Sequence, residues 1–268
     1  MICALCGEEK GTLIVSHFMP AAAYQHIRGV EGSGNKSPVL INIQRGSAFQ
    51  TDKQIKRPLL CNDCEVLFST HGERLMGRLW ATKSEFPLLE ILNRDALLSL
   101  GERFTTYDSR LLDTTIVNAI FYFAVSIFWR AQVWDWGRDG DAYKRALGDI
   151  YEAKFREFLR FGGKLENVLV LVDVNSDADT ASIMSFPTCG RIGGDKLHSF
   201  SLLGMRFTMY VGGSINAVTK APFSFHGVQI MFLASNHRHS PAFHKLAEKV
   251  QRGVVAKGNL AIRNGGQL

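Results

Sequence analysis

No run of apolar residues in this chain is long enough to cross a bilayer. The longest, residues 116–129, is interrupted by Asn118 and Ser126 and closed by Arg130. It falls short of the roughly 20 residues a spanning helix needs, so it is predicted to be a buried helix and no membrane partner is expected. An apolar leader is missing too, since Met1-Ile2-Cys3 runs straight into the first cysteine pair. A secreted disulfide framework is therefore not expected, and a cytoplasmic location with reduced thiols is. A phosphate-cradling G-x-x-x-x-G-K loop is absent, and Gly193-Gly194 and Gly212-Gly213 read as turns. Neither an internal repeat nor a low-complexity linker occurs. What is left is an ordinary globular composition, 46% apolar and 21% charged, in a length that fits one large domain or two small ones.

Cysteine is scarce, yet four of the five cysteines form two C-x2-C pairs, Cys3-Ala4-Leu5-Cys6 and Cys61-Asn62-Asp63-Cys64. Thiolates at this spacing suit a closed tetrahedral Zn2+ site. Structural zinc on Cys3, Cys6, Cys61 and Cys64 is the expected cofactor, with two disulfides or unrelated buried thiols as the alternatives. Cys6 and Cys61 are separated by 54 residues, so the intervening segment must return to close the site. Cys189 has no partner at such spacing and reads as a small packing residue.

The formal net charge is +6, and its distribution says more than its size. Residues 236–268 carry six Lys or Arg (Arg238, Lys245, Lys249, Arg252, Lys257, Arg263) against one acid, Glu248. Such a tail suits phosphate contacts; a solvated terminal helix is the other reading.

Along the chain, residues 12–15 read as a strand that delivers His17 to its end, and residues 21–27 as a short helical turn. Residues 29–37 are rich in Gly, Ser and Asn and read as a loop. Residues 39–43 have strand composition, 44–57 are expected to supply the second strand of a hairpin, and a helix is expected from Cys61 to Phe68. Helices follow by periodicity at 86–100, 113–134 and 141–161, the last with Ala146, Ile150, Phe155, Phe158 and Leu159 facing inward. The period then changes. Residues 168–172 form a valine-rich run expected of a strand buried on both faces. Residues 182–186, 202–211 and 228–233 are further strand candidates, and 241–255 closes the chain as a helix. Asp173, Asn175, Asp177 and Asp179 alternate after the strongest strand but miss the calcium-loop pattern at Ala178 and Met184, so a polar loop is expected. His237, His239 and His244 fall in an expected exposed turn and the helix after it. Trp129, Trp134 and Trp136 are expected in the core.

The order of knuckle, strand, Ser16-His17-Phe18-Met19-Pro20, loop, Leu60-Cys61-Asn62-Asp63-Cys64-Glu65 and helix resembles the HNH, or ββα-metal, endonuclease family on a zinc-bound treble clef. More closely, it resembles a bacterial subset with S-H-x-x-P after the first knuckle and L-C-x-x-C-E at the second, over about residues 1–75. It implies an α+β protein: a zinc-bound treble-clef module over residues 1–85, then a helical middle and a C-terminal mixed α/β section over 86–268 for recognition or assembly. It also implies metal-dependent hydrolysis of DNA phosphodiester bonds, in phage defence or mobile-element biology. His17 would be the general base. Ser16, Glu65 and, if the helix ends at Gly72, His71 would hold Mg2+ or Mn2+. Gln54 would replace the motif's missing asparagine, and Lys53, Lys56 and Arg57 would grip the nucleic-acid backbone. A partner protein or homo-oligomer is the further partner to expect. The alternative is a non-catalytic zinc module that binds nucleic acid or protein.

Overall fold

The computed structural model describes residues 1–28, 37–137, 143 and 145–263. The loop expected at 29–37 lies, but for Ser37, outside the described residues. The N-terminal part contains β1 (Ile14–His17), α1 (Ala23–His26), β2 (Val39–Asn42), β3 (Ser47–Gln50) and β4 (Lys56–Leu60). A helix then runs from Asn62 to Met76: α2 (Asn62–Phe68), a π-helical turn (Ser69–Glu73) and α3 (Arg74–Met76). β1 and β4 pair antiparallel, with His17 opposite Lys56 and Ser16 opposite Arg57. The second strand of this ribbon is thus residues 56–60. The preceding segment makes a separate hairpin of β2 with β3, so the expected 44–57 strand divides between two sheets.

The middle comprises α4 (Pro87–Asp95), β5 (Leu97–Leu100), β6 (Phe104–Tyr107) and α5 (Thr114–Val133), followed by α6 (Asp149–Phe161). The expected helix at 86–100 stops at Asp95, because Leu97–Leu100 pairs antiparallel with β6. Three leucines in four residues satisfy either period, and ladder pairing decides. α6 begins eight residues later than expected, and Ile150 on its first turn is 71% exposed, while Phe155 and Leu159 are buried as foreseen.

The rest is β7 (Val168–Asn175), β8 (Thr188–Ile192), β9 (Asp195–Leu202), β10 (Met205–Val211), α7 (Ala217–His226), β11 (Ile230–Ser235), α8 (Pro241–Gly253), β12 (Val255–Ala256) and α9 (Asn259–Arg263). Seven strands form one mixed sheet in the order β5-β6-β11-β7-β10-β9-β8, whose parallel pair is β7 with β11. β7 is central and nearly all buried, as its valine run requires. Two expectations fail here. Residues 182–186 make only an isolated bridge, Met184 to Leu202. The single strand foreseen at 202–211 is the second arm of a hairpin whose turn is Leu203-Gly204. Gly204 has φ +83°, and a Cβ there would meet Phe86 at 2.7 Å, so glycine is required.

α5 is the structural centre. Every residue from Ala119 to Ala131 is buried, as expected of a helix apolar all round. Phe123 and Phe128 lie against Phe200 of β9. On its other sides Phe121 meets Phe158 of α6, and Gly72 of the π turn approaches so closely that a Cβ would lie 3.2 Å from the Phe123 Cα. Among the described residues α5 alone has the length and composition to cross a membrane, and 72% of its most apolar stretch is buried inside the protein. One apolar core runs without a break from Cys3 to Ala234. A second, small one joins Ala48 of β3 to Val254, Ala256 and Leu260, where the C-terminal segment returns to pair β12 parallel with β3.

Candidate functional site

The two knuckles meet at the base of the β1–β4 ribbon. Ala4 N donates to Leu59 O at 3.0 Å, tying the first knuckle to β4, and Cys61 N donates to the Cys3 sulfur at 3.2 Å. The ligand atoms of Cys3, Cys6, Cys61 and Cys64 all lie within 4.8 Å of one another. A tetrahedral site with Zn–S bonds of about 2.3 Å places its sulfurs about 3.8 Å apart, so this donor set can hold a metal ion and is consistent with structural zinc. Burial raises the Cys3 thiol, but backbone hydrogen bonds from Cys6, Cys61 and Leu5 outweigh it and bring it down to about 7. Burial raises Cys6 and, more strongly, Cys64. Crowding four thiols into a partly buried cluster is unfavourable for the charged form unless a cation shares the site.

α2 starts at this cluster, with Cys61 at its N-cap and Asp63 and Glu65 in the first turn, where the helix dipole favours acids. Glu65 N donates to Cys61 O at 3.0 Å, which closes the first turn of α2. Ser16, fully buried on β1, donates its hydroxyl to Glu65 Oε2 at 2.7 Å. Two positions 49 residues apart are thus joined by one hydrogen bond. The next residue, His17, is half-exposed at the strand end and makes no side-chain hydrogen bond among the described residues.

The chain just after His17 is held firmly. Phe18 is fully buried, with its ring 5.1 Å from Trp134, 4.8 Å from Trp136 and 5.4 Å from Phe186. Its N–H donates to Ile55 O at 2.9 Å, and its carbonyl accepts from Arg130 Nη1 at 3.1 Å. Arg130 is fully buried on α5, lies over the Phe68 ring at 4.7 Å, and gives its other terminal nitrogen to Glu73 Oε1. Arg130 and Glu73 escaped the sequence reading, because their partners lie 57 and 112 residues away along the chain. A lone arginine inside an apolar run was the available signal.

The other expected site residues fall as follows. Lys53 and Lys56 are exposed, and Lys56 sits across the ribbon from His17. Arg57 is engaged, donating to Asp135 O at 3.1 Å with its carboxylate 3.2 Å away. Gln54 is half-buried and makes no hydrogen bond among the described residues; Tyr24 takes the bracing place, its hydroxyl accepting from Ile55 N at 3.4 Å. The helix does not end at Gly72, because the π turn carries it on into α3, and His71 lies with its ring 5.4 Å from Tyr122. Cys189 is exposed on edge strand β8, not packed. Asp173 and Asn175 belong to β7 itself: Asp173 accepts from Arg206 at 2.6 Å and Ser235 at 2.8 Å, and Asp177 and Asp179 pair with Arg238. His239 and His244 are exposed, and His237 is half-buried with Nε2 3.2 Å from Asp173.

Comparison with protein-family models, curated proteins and solved structures found no match to this chain.

Proposed function

We propose that this chain is a metal-dependent HNH-like endonuclease that hydrolyses DNA phosphodiester bonds, with a zinc-bound ββα module at its N-terminus. The observation that carries the reading is the buried Ser16–Glu65 hydrogen bond of 2.7 Å, one residue from the half-exposed His17. These are the positions at which an HNH motif gathers its metal ligands and its base. The antiparallel β1–β4 ribbon leading into α2, closed at its base by four thiols, supports the same reading.

In this account His17 takes the proton from the attacking water, the work an imidazole nitrogen does as a general base. Arg130 and the aromatic cage around Phe18 hold the backbone that presents it. Glu65, oriented by Ser16, would hold Mg2+ or Mn2+, cations that favour carboxylate oxygen. When bound, such an ion supplies charge stabilisation at the phosphate and the leaving oxygen. Lys56 and Lys53 extend into solvent beside the ribbon and would contact the phosphate backbone.

A zinc module that binds nucleic acid without cutting is the second reading, favoured by the neutral Ser16 where the motif carries a stronger ligand. Cleavage by Glu65→Gln separates the two. The nuclease reading expects a loss of at least about 100-fold in rate, of the order usual for a misplaced catalytic group, with DNA binding retained. Equal rates for Glu65→Gln and wild type would remove Glu65 from the chemistry.

A further inference from the structure

A cleft of about 920 Å³, lined by neither Ser16 nor Glu65, opens between the π turn with α3, the first half of α5, the end of α6 and the turn into β11. Its size falls within the range that holds small organic ligands. No Asp or Glu lines it, whereas Arg74, Arg78, Arg110 and His71 do. Arg110 is already neutralised by Asp108, which it grips at 2.9 and 2.6 Å. Arg74 and Arg78, about one turn apart, are exposed and make no ion pair or side-chain hydrogen bond among the described residues.

The rest of the wall is not what a simple phosphate patch would need. Phe121, Tyr122 and Phe158 give it an aromatic floor, and Asn118 and Thr114, both exposed, also line it with no side-chain partner among the described residues. The π turn Ser69–Glu73 lies beside it, with Gly72 pressed against α5 and His71 over Tyr122. Single π turns inside α-helices are frequent at functional sites.

We propose that this cleft binds a nucleoside phosphate: a di-anionic phosphoryl group on Arg74 and Arg78, and a ring against the aromatic floor. Guanidinium groups pair bidentately with phosphate or carboxylate. A single carboxylate would leave one of the two arginines unmatched, whereas a terminal phosphoryl group, with its double charge and three oxygens, serves both. Asn118 and Thr114 offer the donors and acceptors that a base or ribose edge requires. The inference stands apart from the nuclease reading, since it uses neither His17 nor Glu65.

The test is isothermal titration of the full-length protein with ADP, GDP, CDP and UDP in turn, then with the parent nucleosides and with inorganic phosphate. His17→Ala serves as a second background, so that hydrolysis cannot mimic binding. Saturable one-to-one binding of at least one diphosphate is expected, equal in wild type and His17→Ala. The matching nucleoside and inorganic phosphate should each bind at least about tenfold more weakly. Arg74→Gln with Arg78→Gln should lower the affinity by at least about tenfold and leave the unliganded melting temperature unchanged. The proposal is overturned by no saturable binding of any diphosphate, by binding that the double variant leaves intact, or by inorganic phosphate binding as well as the diphosphate. Binding of a DNA strand with none of the diphosphates bound would likewise overturn it.

Discussion

Arg130 is wholly buried and serves three partners at once: the Phe18 carbonyl, the Glu73 carboxylate and the Phe68 ring. Removing the cation leaves Glu73 without its counter-charge and the Phe18 carbonyl without a donor. Arg130→Met is therefore expected to cost roughly 3–5 kcal/mol in urea unfolding, the usual result of breaking one side of a buried pair. A second buried residue makes stability depend on pH. His198 is 0% exposed, and its Nδ1 is hydrogen-bonded to the Tyr143 hydroxyl at 2.6 Å. Burial, with a smaller repulsion from Lys196, pushes its pKa down to about 3. The unfolded chain takes up that proton near pH 6.5 and the folded one does not, so stability is complete above about pH 6.5 and falls as pH drops. The slope well below that point is about 1.4 kcal/mol per pH unit. Melting curves from pH 8 to pH 5 should show this decline in wild type and a flatter one in His198→Phe; identical slopes would remove His198 as the cause. The four knuckle cysteines were legible from the sequence as one cluster, and so were Ser16, His17 and Glu65 as neighbours beside it; Cys189 was not, being exposed rather than packed. Arg130, Glu73 and His198 were not, because their roles depend on partners far away in sequence.

The helix from Asn62 to Met76 shows the same division at the scale of an element. Its start was readable from the second knuckle. Its continuation was not, because a glycine at position 72 reads as a stop signal, whereas here it permits contact with α5. Gly72→Ala would set a methyl group 3.2–3.3 Å from Phe123 and Tyr122, forcing two helices apart at a cost of about 1–3 kcal/mol. Chemical denaturation is the measure, and an unchanged midpoint would mean that the helices yield freely. Periodicity found α5 and β7, which are buried on all sides and carry strong apolar signals. It missed β8 and β9, where Gly190, Gly193 and Gly194 interrupt the pattern, and it began β10 too early, at Leu202, across the turn Leu203-Gly204.

Across the whole molecule, the cysteine cluster and the seven-stranded sheet share one core that runs from Cys3 to Ala234. Taken alone, the sequence suggests that loss of zinc would unfold the first 75 residues. The shared core predicts instead that a chelator, or Cys61→Ser, lowers a single transition of the entire chain by more than about 10 °C. Two separate transitions in calorimetry would contradict this. The return of β12 to β3 also ties the basic C-terminal segment to the insertion between the knuckles. Lys245, Lys249 and Arg252 of that segment are exposed on α8.

The measurement that bears most directly on the proposed activity is plasmid cleavage by zinc-loaded protein in Mg2+ or Mn2+, comparing wild type with His17→Ala at matched folding and zinc content. The account predicts nicking that needs the divalent ion and falls at least about 100-fold in the variant. A His17→Ala protein that cuts as fast as wild type, or a wild type that binds DNA and never cuts it, would contradict it.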